Sequence, residues 1–255
     1  MNYFIACLRG DYERYARTKQ SLRMKSSDHM WVVGDAISGS DPEGSIDILE
    51  DIAASSNTSL VLGDSEYMQI MRLMSDDDPE GEEEWAAEAL KVDPDANAFT
   101  EAMRDLPQSR YKFLLEEFLM GCELTASIKI GDRWVYICHG APQPHFGPTS
   151  VAEWQYAVVA NKVYPGRSYW SMLKTDPEFA QALAAQPPAT PEKTILVTAG
   201  CSPEEAAQDA GVQPSPSGVY YRNGVFVIGG SEAPVLGIDA AGFVVKRGFQ
   251  DEENR

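Results

Sequence analysis

Two short apolar runs in this chain end in the same dipeptide: Met30-Trp31-Val32-Val33 leads into Gly34-Asp35, and Ser59-Leu60-Val61-Leu62 into Gly63-Asp64. Strands apolar on both faces must be covered on both, as in parallel sheets. Between them, Ile46, Ile48, Leu49 and Ile52 recur at helical spacing. An earlier unit has the same order: the run Tyr3 to Leu8, a break at Arg9-Gly10-Asp11, then Tyr12, Tyr15, Ala16 and Leu22 on a helical stripe. Strand-turn-helix units in series imply right-handed crossovers and a mainly parallel sheet, and so an α/β chain. Ligands of such sheets gather beyond the carboxyl ends of the strands. The loops at Cys7 to Arg9, Gly34-Asp35 and Gly63-Asp64 are therefore predicted to converge on one crevice.

Downstream the pattern changes. Residues 75 to 110 are acidic and contain Pro and Gly, with helical stretches at Trp85 to Leu90 and Phe99 to Leu106, which predicts a mobile helical insertion or cap over the crevice. A helix over Tyr111 to Met120 precedes a hairpin, Glu123 to Ile130 and Arg133 to Cys138 around Gly131-Asp132, that delivers His139-Gly140 at a strand end. The segment 141–193 is rich in Pro and aromatics, with one short helical stretch at Phe179 to Leu183; rings of its part 154–170 are expected to pack on the sheet or to form a partner surface. Strand signals return at Ile195 to Thr198, Gly218 to Tyr221, Val225 to Ile228, Val235 to Ile238 and Phe243 to Val245. We expect one domain over residues 1–250 and a disordered tail at 251–255.

Charge narrows the functions. Lys plus Arg number 21 against 39 Asp plus Glu, a net charge of -18, which disfavours direct binding to nucleic acid or an anionic membrane. Runs such as Asp76-Asp77-Asp78 and Glu82-Glu83-Glu84 are expected to solvate a loop. Cys7, Cys122, Cys138 and Cys201 show no CxxC spacing, and no leader or membrane-length apolar run is evident, so a cytoplasmic chain with reduced cysteines is expected.

The ordered strand-end motifs resemble the calcineurin-like metallophosphoesterase superfamily, in the branch of symmetrical diadenosine tetraphosphatases and bacteriophage-type and eukaryotic Ser/Thr protein phosphatases. Those proteins carry Asp-x-His-Gly, Gly-Asp-x-x-Asp-Arg-Gly, Gly-Asn-His-Glu, His-Gly and Gly-His-Thr. The same slots here hold Cys7-Leu8-Arg9-Gly10, Gly34-Asp35-Ala36-Ile37-Ser38-Gly39-Ser40, Gly63-Asp64-Ser65-Glu66, His139-Gly140 and Gly200-Cys201-Ser202. Separations of 28 residues from Cys7 to Asp35 and 29 from Asp35 to Asp64 suit that pattern. The resemblance implies a βαβ sandwich of two mixed sheets flanked by helices, with the acidic helical insertion added.

It also implies a depleted site. The family's chemistry uses two divalent metals bridged by an Asp and a hydroxide. Here Cys7 and Arg9 replace the first half-site's Asp and His, and a guanidinium cannot ligate metal. Asp64 replaces Asn, Cys201 a metal-binding His, Ser65 the acid-catalyst His, and Gly39 the phosphate-binding Arg. Asp35, Glu66 and His139 remain, and the chain has only three histidines, His29, His139 and His145. The vestigial set is Cys7, Arg9, Asp35, Ser38, Asp64, Ser65, Glu66, His139 and Cys201. Arg9 could pair with Asp35 and Asp64 in place of metal, or point to solvent; His139 could be a ligand or a satisfied strand-end residue; Cys7 and Cys201 could be inert or reactive.

Three functions fit. The first is a catalytically impaired, phosphatase-like binding or regulatory scaffold without a metal cofactor, with a protein partner, or with a phosphate or nucleotide as a further ligand. The second is a divergent phosphoesterase acting on a nucleotide or phosphoprotein, with a single Mn or Zn ion on Asp35, Asp64, His139 and Cys201. The third is an acidic protein that binds a basic partner.

Overall fold

A computed structural model describes residues 1–131, 133–139, 194–199, 219–222, 225–228, 235–240 and 244–247. The helical part runs β1 (Asn2–Ile5), α1 (Tyr12–Leu22), β2 (His29–Val33), α2 (Pro42–Ala54), β3 (Thr58–Val61), α3 (Asp64–Met74), α4 (Pro79–Val92), α5 (Ala96–Arg104) and α6 (Gln108–Lys112). A π-helical turn at Phe113–Phe118 and a 3-10 turn at Leu119–Gly121 follow α6. Strands complete the chain: β4 (Thr125–Ile130), β5 (Arg133–His139), β6 (Thr194–Ala199), β7 (Val219–Arg222), β8 (Val225–Ile228), β9 (Leu236–Ile238) and β10 (Val244–Arg247). Two compact units result, one of Leu8–Glu123 and one of Met1–Cys7 with Leu124–Arg255. The predicted stretches at 141–193 and 251–255 lie outside the described residues.

In the unit Leu8–Glu123, β2 and β3 pair in parallel from Met30 against Thr58 to Val33 against Val61. The crossover helix α2 starts where local chemistry dictates. Asp41 caps it by accepting from the Gly44 N–H at 2.9 Å, and Pro42 fills the first turn, where a missing N–H costs nothing. Its apolar stripe, Ile48, Leu49 and Ile52, is buried as the spacing predicts. Asp11 caps α1 through the Arg14 N–H at 2.8 Å. The Tyr15 hydroxyl donates to Asp51 of α2 at 2.6 Å, fixing one helix on the other.

The insertion is docked rather than loose. Met68 of α3 packs with Ala89 and Ala96, and Tyr67, Trp85 and Val92 extend the cluster. Gln69 donates to the Ala96 carbonyl at 2.8 Å, and Arg72 reaches Glu82, Asn97 and Thr100. These ties hold α4 and α5 to α3, while Asp76, Asp77, Asp78, Glu83 and Glu84 stay exposed, as expected of solvated acids. Hydrogen bonds first from Arg72 and then from Arg104 hold the Glu82 carboxyl below the usual glutamate range. A depressed carboxyl adds stability above its unfolded value and loses it as pH falls through the lower folded value. The stability difference between the native chain and Glu82→Gln, read by urea unfolding, should therefore be full at neutral pH and shrink below about pH 4.5, the ordinary carboxyl range. A difference constant down to pH 3 contradicts this.

In the other unit β1 runs antiparallel to β9, and β9 to β10 with a bulge between Val244 and Lys246. The predicted hairpin forms, with β4 antiparallel to β5 across Gly131 at φ 62, where the positive φ suits glycine. Strand β5 pairs in parallel with β6, β6 in parallel with β8, and β8 antiparallel with β7. Val135, Ile137, Val197, Phe226 and Ile228 are among its buried residues. This sheet is mixed, as the resemblance implies, rather than mainly parallel: the β5–β6 and β6–β8 pairs are parallel, while β4–β5 and β7–β8 are antiparallel.

Candidate functional site

The loops that follow β2 and β3 meet. Gly34 (φ 70) and Asp35 (φ 51) are both left-handed, which costs a non-glycine residue energy and here turns the next N–H groups toward α3. Glu66, in the first turn of α3 and fully buried, receives them: Asp35 N at 3.0 Å and Gly63 N at 2.8 Å on one oxygen, Ala36 N at 2.6 Å and Ile37 N at 3.1 Å on the other. A carboxylate at a helix N-terminus also faces the positive end of the dipole.

Asp64 opens α3 and is buried with Asp35. Carboxylate oxygens of the two lie within 4.8 Å of each other. Hard oxygen donors at that spacing suit one divalent cation such as Mn or Mg. A contact from the Ser65 N–H to Asp35 Oδ1 is long, at 3.4 Å.

Arg9 holds the third loop in place by its backbone, donating its N–H to the Asp35 carbonyl at 2.9 Å, while Gly10 donates to Ala36 at 2.9 Å. Its side chain is exposed and its φ is 50. Ser38 is buried, and its Oγ lies 2.9 Å from Ser40 Oγ. The insertion enters here: Asp93 Oδ2 accepts from Gly39 N at 2.6 Å and from Ser38 Oγ at 3.1 Å. A small cleft with room for little more than a water molecule touches Ser38, Gly39, Ser65, Gln69, Asp93 and Phe99. With the insertion docked this cleft is far smaller than the roughly 300 Å³ of small-molecule pockets and too small for a nucleotide.

The remaining candidates are placed as follows. His139 ends β5, half-buried, in the second unit. His29 contacts Ser59 at 3.0 Å and packs with its ring tilted against that of Trp31, and burial lowers its pKa. Cys7 is buried with φ 54. None of the described cysteines forms a disulfide. Burial and, secondarily, the Glu66 charge push the Cys122 thiol up to about 12, so it stays protonated at neutral pH. Cys201 and His145 lie outside the described residues. Residue types alone did not single out Asp93, since the bond it makes to Gly39 spans 54 positions.

No protein-family model matches the chain, and no curated protein matches its sequence. Solved structures match its fold. A protein provisionally assigned as a diadenosine tetraphosphatase superposes with a TM-score of 0.51 at 11% identity, over 98% of this chain and 94% of that one. A protein serine/threonine phosphatase from Saccharomyces cerevisiae (TM-score 0.49, 9% identity, 99% of this chain and 81% of that one) also matches. So does a metallophosphoesterase from Sphaerobacter thermophilus (TM-score 0.48, 12% identity, 96% and 87%). The first of these carries the conclusion: this chain shares the α/β fold of that protein, the fold that the motif order implies.

Proposed function

We propose that this chain is a phosphatase-fold protein that binds rather than hydrolyses, its site impaired for two-metal chemistry. The observation that supports this most is Arg9. It fills the slot where the resemblance calls for a metal-binding His and carries a permanent charge that cannot ligate metal, and its backbone N–H braces the Asp35 loop. With Cys7 beside it in sequence, the first half-site has no hard ligand of its own, and a bridging hydroxide needs two metals. Binding of a protein partner, or of a phosphate-bearing ligand, is the role left to such a scaffold.

A second reading is favoured by one observation, the Asp35 and Asp64 carboxylates within 4.8 Å. They fit a single divalent ion, Mn or Zn, and on the resemblance His139 and Cys201 would be further ligands. Such an ion would supply Lewis acidity to a phosphoryl oxygen; the chain's own part is to hold the two acids and keep their loops rigid. Metal analysis of the purified protein and a chromogenic phosphodiester assay with added manganese separate the readings. The first expects no turnover above buffer. Turnover that Asp35→Ala abolishes would establish the second and overturn the first.

A further inference from the structure

We infer that Glu66 is a positioning residue that sets the Asp35 carboxylate beside that of Asp64. This rests on the reading of those two acids as one donor pair. A carboxylate offers about four acceptor positions, and Glu66 uses them on four backbone N–H groups, two per oxygen. Three belong to consecutive residues, Asp35, Ala36 and Ile37. The left-handed pair Gly34 and Asp35 aims those N–H groups into one concavity, the kind of backbone nest that takes an anion. Glu66 is that anion, supplied by the chain itself.

The consequence is geometric. Asp35 sits inside the nest, and Asp64 lies two residues before Glu66 on the same helical turn. One buried side chain therefore ties both donors to a common frame. The Gly63 N–H on the same oxygen as the Asp35 N–H makes the tie direct, since that residue immediately precedes α3. Without the carboxylate, left-handed Asp35 loses the contact that offsets its strain, and its oxygens are free to swing away from Asp64. An amide cannot substitute, because its NH₂ would point a donor at two donors.

The test compares the unaltered chain with Glu66→Gln and Glu66→Asp. Manganese uptake is titrated by electron paramagnetic resonance, and backbone amides are followed by hydrogen exchange. Glu66→Gln should bind manganese about tenfold or more weakly, as partners that orient metal ligands typically do when lost. Amides of Asp35, Ala36, Ile37 and Gly63 should lose protection while those of the β4–β5 hairpin keep theirs. Glu66→Asp, which keeps the charge, should recover part of both. A folded Glu66→Gln with unchanged affinity and unchanged exchange at residues 35–37 overturns the proposal. Should that variant fail to fold, Glu66→Asp decides: weakened manganese binding in a folded protein supports the role, and unaltered binding refutes it. If the unaltered chain takes up no manganese, the donor-pair reading falls, and selective exchange at residues 35–37 alone judges whether Glu66 holds the loop.

Discussion

Phe99→Ala should lower the unfolding free energy by about 3–5 kcal/mol, the usual cost of emptying a buried aromatic site. Phe99 is fully buried on α5, on the same helix as the buried Thr100 and Met103. It also touches the cleft with Ser38 and Ser65, so its removal enlarges a space instead of letting neighbours collapse into it. The tighter the surroundings, the larger the residual cavity and the penalty. Against a typical total of 5–15 kcal/mol, this is a large fraction of what keeps such a domain folded. Chemical denaturation reads it directly as a lower midpoint at unchanged slope. A loss under about 1 kcal/mol would mean that α5 is not seated as described.

A single methyl group at Gly39 should be comparably damaging, at about 3 kcal/mol or more, beyond ordinary overpacking. A Cβ there would stand 1.6 Å from the Asp95 carbonyl oxygen, 2.2 Å from its carbon and 2.8 Å from the Ala96 nitrogen. All three are backbone atoms, which cannot rotate aside as a side chain would. Either the β2–α2 loop or the start of α5 must retreat, and the 2.6 Å bond from Gly39 to Asp93 goes with it. Hydrogen exchange should then show α4 and α5 opening before β2 and β3. Gly121→Ala is the control: its added methyl meets nothing within 4 Å, and its effect should stay within about 0.5 kcal/mol. Equal effects at the two glycines would disprove the close approach.

What the sequence made legible follows the range of the forces involved. Strands β2 and β3, helix α2 and the β4–β5 hairpin were readable because apolar runs, a helical stripe and a Gly turn are local signals. The end of β1 was not: the run Tyr3 to Leu8 suggests a longer strand than Asn2–Ile5, and nothing local marks Cys7 or Arg9 as left-handed. The helices of the insertion were foreseen, but their docking depends on Asp93, Gln69 and Arg72 finding partners 54, 27 and 25 residues away. Within the site, motif order placed Asp35, Asp64 and Glu66 together. That Glu66 spends itself on four amides could not be read, because the conformation of Asp35 that presents them appears only in the folded backbone.

Cys7, Arg9 and Asp35 share one property besides their place at strand ends: each holds a backbone angle that glycine would adopt freely. Selection for robustness alone would have favoured glycine at such positions, since relief of that torsional cost is among the cheaper routes to a sturdier protein. The chain has instead kept a thiol, a guanidinium and a carboxylate there. An engineer hardening this scaffold would meet a trade-off at these three sites, and a set of glycine replacements ranked by stability gained against binding lost would expose which side chain the protein can least do without.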